Sequence, residues 1–133
     1  MLLGFDPGRD KCGLVVMALD RRILFQAVIS SHEAIATVHN LLTKHAIALI
    51  IMGDQTTAKA WKSKFNDEFP EINIVTVDER FSSQEARQRY WQIYPPKGLV
   101  NLIPLGLRSP PRPVDDIVAI ILIERYLSRL VSS

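Results

Sequence analysis

The chain's 133 residues, 47% apolar and 23% charged, have the size and balance of one globular domain spanning 1–133 that buries roughly two-thirds of its unfolded surface. The longest apolar runs, 46–52 and 117–123, are far short of the ~20 residues that cross a bilayer, and the opening Met1-Leu2-Leu3 stops at Asp6, so neither a membrane span nor a signal peptide is read. Cys12 is the only cysteine, which excludes an internal disulfide and makes the cytoplasm the expected compartment, while a net charge of +2 selects no partner.

Three strands are predicted in the first thirty residues. Residues 2–6 are short and apolar, and Pro7-Gly8 turns them. Residues 13–19 are a second apolar run closed by Asp20-Arg21-Arg22, and 23–30 a third. The short connections imply an antiparallel meander. Ser30 or Ser31 can cap a helix over 32–45 with Ile35, Val38, Leu41 and Leu42 on one face. Residues 47–53, with Ile50-Ile51 at their centre, read as a strand buried on both faces. A polar helix over 57–68 follows, anchored by Trp61 and Phe65 at a four-residue spacing.

A fifth strand is predicted over 72–78. Ser82 and Glu85 form a Ser-x-x-Glu capping box that should start a helix reaching about residue 94. Residues 95–113 hold six of the eight prolines with Gly98 and Gly106, so an irregular loop is expected. A last helix over 114–130 is apolar almost all round between Ile117 and Ile123, hence a buried packing element. Helical crossovers make strands one, four and five parallel, and strands two and three add antiparallel edges. The expectation is an α/β fold with a five-stranded mixed sheet of order 3-2-1-4-5 flanked by helices.

Acidic residues fall where these elements meet. Asp6 ends the first strand, Asp54 follows the fourth in Gly-Asp-Gln-Thr-Thr, Asp78-Glu79 close the fifth, and Asp115-Asp116 open the last helix. In open α/β sheets functional groups collect at the carboxyl ends of parallel strands. Carboxylates crowded together repel one another and need a countercharge that divalent cations supply. Two such ions about 4 Å apart can hold the attacking water and the leaving oxygen of a phosphodiester. Singly, each acid has a plainer reading: Asp6 as a turn former, Asp54, Asp115 or Asp116 as helix caps, Glu79 as a partner of Arg80 or solvent. Four acids at one structural boundary weigh against all of these holding at once. Residues 80–114 add a local charge of +5, from Arg80, Arg87, Arg89, Lys97, Arg108 and Arg112 against Glu85, which favours contact with a polyanion.

Other sites are weaker. His32, His39 and His45 lack the Cys or Glu set of a zinc centre and read as surface residues. No Gly-x-Ser-x-Gly elbow is present, and Gly4-x-Asp6-x-Gly8 precedes a strand, so it is no dinucleotide fingerprint. Tyr90 and Trp91 could stack on bases, but their helical setting favours core or subunit packing.

Three stretches carry a resemblance to a known family: Leu3-Gly4-Phe5-Asp6-Pro7-Gly8 with Gly13, Val77-Asp78-Glu79-Arg80-Phe81-Ser82-Ser83-Gln84-Glu85-Ala86, and Val114-Asp115 through Ala119, Leu122-Ile123 and Tyr126-Leu127. In this order they resemble the YqgF/RuvX-like proteins, relatives of the RuvC Holliday junction resolvases in the RNase H-like superfamily. The resemblance implies an RNase H-like fold and an acidic triad on Asp6, Glu79 and Asp115. Asp116 lies about 100° away round the helix from Asp115, so both can hardly face one metal. Where the family has a Gly-Leu-Pro-like stretch this chain has Gly53-Asp54-Gln55-Thr56-Thr57, which lets Asp54 join or replace Glu79. The family implies a nuclease on structured nucleic acid, foremost in maturation of small-subunit (pre-16S) ribosomal RNA, with Holliday junction resolution the alternative.

The leading expectation is therefore a Mg²⁺- or Mn²⁺-dependent phosphodiesterase acting on structured RNA or branched DNA. Asp6 and Asp115 bind metal, Glu79 or Asp54 completes the shell, and Arg9, Lys11, Thr56, Thr57, Lys59, Arg80, Arg108 and Arg112 hold the nucleic acid. A non-catalytic nucleic-acid-binding module and a homodimeric scaffold built on Tyr90, Trp91 and Tyr94 are the rival expectations.

Overall fold

Every predicted strand and helix forms, within a few residues of its expected ends, in the computed structural model, which describes residues 1–55 and 57–132. The strands are β1 (Leu2–Asp6), β2 (Lys11–Met17), β3 (Ile23–Ser30), β4 (Leu49–Gly53) and β5 (Asn73–Val77). The helices are α1 (Ala34–Lys44), α2 (Ala58–Glu68), α3 (Ser82–Ile93) and α4 (Asp115–Ser132), and short 3-10 turns cover Gly98–Leu102 and Leu105–Leu107 in the proline-rich segment. The sheet order is β3-β2-β1-β4-β5, with β1–β2 and β2–β3 antiparallel and β1–β4 and β4–β5 parallel. This is the expected topology.

Two local expectations are corrected. The second strand starts and ends two residues early, because Leu19 lies in the turn that the Arg21 N–H closes on the Ala18 carbonyl with Arg21 at φ 72°. The capping box also does not form. Phe81 takes the N-cap position with no side-chain cap bond, and the Ser82 hydroxyl instead donates to the Glu79 carbonyl at 2.6 Å. Glu85 turns away to Arg89 and Arg125. Ser30 caps the 3-10 turn Ser31–Glu33 that leads into α1, its hydroxyl oxygen accepting from the His32 N–H, while α1 itself starts from Glu33 with no side-chain cap.

The two-residue period of the strands splits the interior into two layers. Leu3, Phe5, Cys12, Leu14, Val16, Ile50 and Met52 face α1 and α2, where Trp61 and Phe65 pack edge-on to Phe5 or tilted against it. Leu2, Val15, Met17, Ile51 and Val77 face α3 and α4. Ile117 through Ile123 are buried without a break, since α4 is sandwiched between the sheet and α3. Tyr90 and Trp91 join this layer, their rings T-shaped at 5.1 Å, which is the core-packing reading of those aromatics.

Candidate active site

Register brings the acids together. Phe5 pairs with Met52, and Gly53 with Val77, so β1, β4 and β5 end side by side and the residues just beyond them share one rim. Asp6 is also the cross-strand partner of Gly13, and paired residues project to the same face of a sheet. On that face the first turn of α4 lies directly on Gly13. A Cβ there would run into the Asp115 carbonyl and the Asp116 N–H, so only glycine admits the helix this closely. The result is that Asp115, 109 positions away in sequence, stands over Asp6.

Glu79 arrives from the third side. Its carboxylate lies over Gly53, where any Cβ would strike it, and its Oε1 accepts from the Gln55 N–H at 2.8 Å. Its main chain is pinned as well, the N–H donating to Asp54 Oδ1 at 3.3 Å and the carbonyl accepting from Ser82. Asp6 lies within hydrogen-bonding reach of both Asp115 and Glu79. These three acids, with Thr57, Ser82 and Ser83, line a cleft of about 280 Å³.

The electrostatic consequence is severe for Asp6. Burial, reinforced by the neighbouring Asp115 and Glu79 charges, pushes its carboxyl up to about 9. Glu79 is also raised, first by burial and further by Asp54, against the opposing pull of the Gln55 N–H. Asp6 therefore keeps its proton at neutral pH, while the Arg125 charge draws Glu79 back toward its ionised form. Among the described residues no three His, Cys, Asp or Glu side chains close on a common point as an ion cage would. The donor chemistry nonetheless fits a hard divalent cation, the ligands being oxygen-only, mutually repelling and half-enclosed.

Asp54 is placed differently from the other acids. It is exposed, and its carboxylate braces the Glu79 main chain. Asp54→Asn keeps that acceptor and removes only the charge. The expected outcome is a melting temperature within about 2 °C of wild type by circular dichroism, since the Glu79 N–H keeps its partner; a larger loss would show that the charge itself holds the turn. Asp116 faces away from the cleft, as the helical geometry requires. It is buried between Gln26, which donates to it at 2.7 Å, and Arg112 at 3.0 Å.

The expected phosphate-binding residues divide into three groups. Arg9, Lys11 and Lys59 are exposed beside the rim and take part in none of the ion pairs among the described residues, and Thr57 lines the cleft itself. Arg80, Arg108 and Arg112 are engaged within the chain: Arg80 with Asp78 at 3.0 Å, Arg108 with the carbonyls of Ile103 and Asn101, and Arg112 with Asp116 and the faces of Tyr90 and Tyr94. Thr56 lies outside the described residues. Three of the six cations in residues 80–114 are thus answered by acids outside the segment, Arg80 by Asp78, Arg112 by Asp116 and Arg89 by the remote Glu124 at 2.8 Å. Gln55, Ser82 and Ser83 are cleft residues that the motif reading did not assign to the site, although Ser82 and Ser83 stand inside the second family stretch.

No protein-family model matches the chain. A protein of Flavobacterium psychrophilum that carries the provisional name pre-16S rRNA nuclease is 27% identical over 145 aligned positions, covering 96% of each chain. Among solved structures, Thermus thermophilus RuvC in complex with a Holliday junction substrate superposes with a TM-score of 0.61 at 17% identity, over 97% of this chain and 94% of that one. A second Thermus thermophilus RuvC structure gives 0.55 at 17% identity, over 96% and 95%. The fold is RNase H-like, that of RuvC, and the likeness to YqgF/RuvX-like proteins extends over nearly the whole chain.

Proposed function

We propose that the protein is a metal-dependent nuclease that processes the small-subunit ribosomal RNA precursor. The observation that carries this reading is the convergence of Asp6, Glu79 and Asp115, from two strand ends and a helix start, on one cleft. The likeness to the Flavobacterium protein supports ribosomal RNA over branched DNA, since it is the more similar of the two kinds of relative and spans the same length.

Asp6, Asp115 and Glu79 would hold Mg²⁺ or Mn²⁺. The metal, when bound, supplies the acidity that activates water and the positive charge that a departing phosphate ester oxygen needs. The chain's own residues orient the reaction. The Gln55 N–H fixes one oxygen of Glu79 and leaves the other directed at the cleft, while Thr57 and Ser83 offer hydroxyls to a phosphate at its edge. Arg9, Lys11 and Lys59 draw the backbone toward the rim, and Arg80, Arg108 and Arg112 would share their guanidinium groups with phosphate only by loosening internal bonds. A ribosomal RNA substrate puts the protein in the cytoplasm. A single protomer presents all three acids, so cleavage of one RNA strand requires no dimer.

The test is purified protein with Mg²⁺ or Mn²⁺, offered pre-16S ribosomal RNA and, separately, a four-way DNA junction. Cleavage of the RNA that a chelator abolishes is the expected result. Cleavage of the junction alone would reassign the protein to the resolvases, and binding of RNA without cleavage in either metal would leave a non-catalytic module.

A further inference from the structure

Behind the acidic cleft, on the far side of the Asp78–Arg80 turn, lies a second cavity of about 450 Å³ lined by Val77, Asp78, Arg80, Phe81, Arg125 and Arg129. Its most unusual member is Phe81. The residue sits in the left-handed region, at φ 62° and ψ 6°, which a side chain bearing a Cβ strains to adopt. Its ring is 78% exposed, so no burial offsets that strain. Only Arg80 separates it from the site acid Glu79.

The cations around the ring are held in place. Arg125 donates to the carbonyls of Asp78 and Arg80 at 2.8 and 2.9 Å and reaches Glu85. Arg80 is clamped by Asp78, and Arg129 lies against the Tyr126 ring. Three guanidinium groups, against Asp78 on Arg80 and Glu85 on Arg125, leave the cavity with one net positive charge, that of Arg129. An open aromatic face next to fixed cations is the composition that receives an unpaired nucleotide, the base stacking on the ring and its phosphate meeting the guanidinium groups. A paired duplex keeps its bases stacked inside and offers the ring nothing.

We propose that Phe81, with Arg125 and Arg129, forms a subsite for an unpaired nucleobase next to the acidic cleft, so that the enzyme engages its nucleic acid where a single-stranded segment adjoins the cut. This inference rests on the nuclease reading for its meaning but not for its test. Because Arg125 bridges the carbonyls on either side of Glu79, filling the cavity bears on the turn that carries a site acid.

The experiment is fluorescence anisotropy with the full chain in excess chelator, where no cleavage occurs. The probes are a labelled single-stranded RNA oligomer of mixed sequence and a blunt duplex of the same length. Phe81→Ala should weaken single-strand binding about tenfold, with duplex binding unchanged and Phe81→Trp restoring or exceeding the wild-type affinity. Arg129→Ala should weaken binding and lower the salt dependence by about one phosphate contact. Since Phe81 is exposed, a circular dichroism melt at the wild-type temperature suffices to show that the variant folds; Phe81→Leu, which keeps the apolar bulk, serves if Phe81→Ala does not. Equal single-strand affinities for wild type and the Phe81 variant would overturn the subsite. A protein that binds through Phe81 but never cuts would sink only the nuclease reading, and one that cuts with Phe81 irrelevant to binding would sink only the subsite.

Discussion

On the proposed nuclease reading, Asp6→Asn should abolish cleavage, by on the order of 10³-fold for the loss of a central ligand worth about 4 kcal/mol in the transition state, and at the same time make the protein more stable. The second half follows from the crowding of the acids. Asp6 titrates at about 9 in the folded chain against 3.8 for the unreacted side chain. Between those values the folded state holds a proton that the unfolded state has released, so stability falls as pH rises from about 4 toward 9 and the loss is complete above it. An asparagine at position 6 has nothing to ionise, and its amide can donate to Glu79 and Asp115. The metal-free variant should therefore melt several degrees above wild type at pH 8, a gain of about 1–2 kcal/mol, and its stability should vary less with pH. Added Mg²⁺ should raise the melting temperature of wild type at pH 8 and leave Asp6→Asn nearly unmoved. Scanning calorimetry across pH with and without Mg²⁺ checks all of this. A variant that is less stable than wild type at pH 8, or that still cuts, would contradict the arrangement of the three acids.

Gly13→Ala should damage both stability and activity, although position 13 carries no chemistry. The added methyl would meet the main chain of Asp115 and Asp116, which cannot swing aside as a flexible side-chain tip could. Either α4 lifts from the sheet or β2 bends. Overpacking of this kind costs about 3 kcal/mol, the upper end of its usual range, because the obstruction is backbone on both sides. Displacing the α4 N-terminus by about 1 Å would move Asp115 relative to Asp6 and lower kcat/KM on the order of a hundredfold. Urea denaturation and single-turnover cleavage read the two effects. Wild-type values in both would mean that α4 is not seated on Gly13.

Several expectations from the sequence hold up in the fold for reasons that lie in local patterning. Two-residue alternation and apolar runs set the five strands, and the short first connections made the meander antiparallel. The run from Ile117 to Ile123 has no polar face to present to water, and it is buried on all sides. The 100° step per residue separated Asp115 from Asp116 before any coordinates, and the two do point apart, one to Asp6 and one to Gln26 and Arg112. Where local reading failed, a contact that no motif specifies had intervened. Ser82 gave up its capping role because the Glu79 carbonyl was within reach, and Phe81 took the cap in a conformation no motif announces. That the Asp54 carboxylate accepts from the Glu79 N–H could not be read from the sequence, because the contact forms only when the turn after β5 folds back. The basic segment looked free because Asp78, Glu124 and Asp116, which lie outside it, answer three of its arginines.

The amino-acid order alone, then, was enough for the elements, their sheet order and the short list of acids at the strand ends, because each of these depends on neighbours within one or two turns of chain. The placing of Asp115 and Glu79 against Asp6, the proton that Asp6 retains and the bracing of Glu79 by Asp54 came from contacts between residues 25 to 109 positions apart. Such contacts exist only once Gly13 and Gly53 have let a helix and a carboxylate settle against the sheet, and no pattern along the chain encodes how close that approach will be.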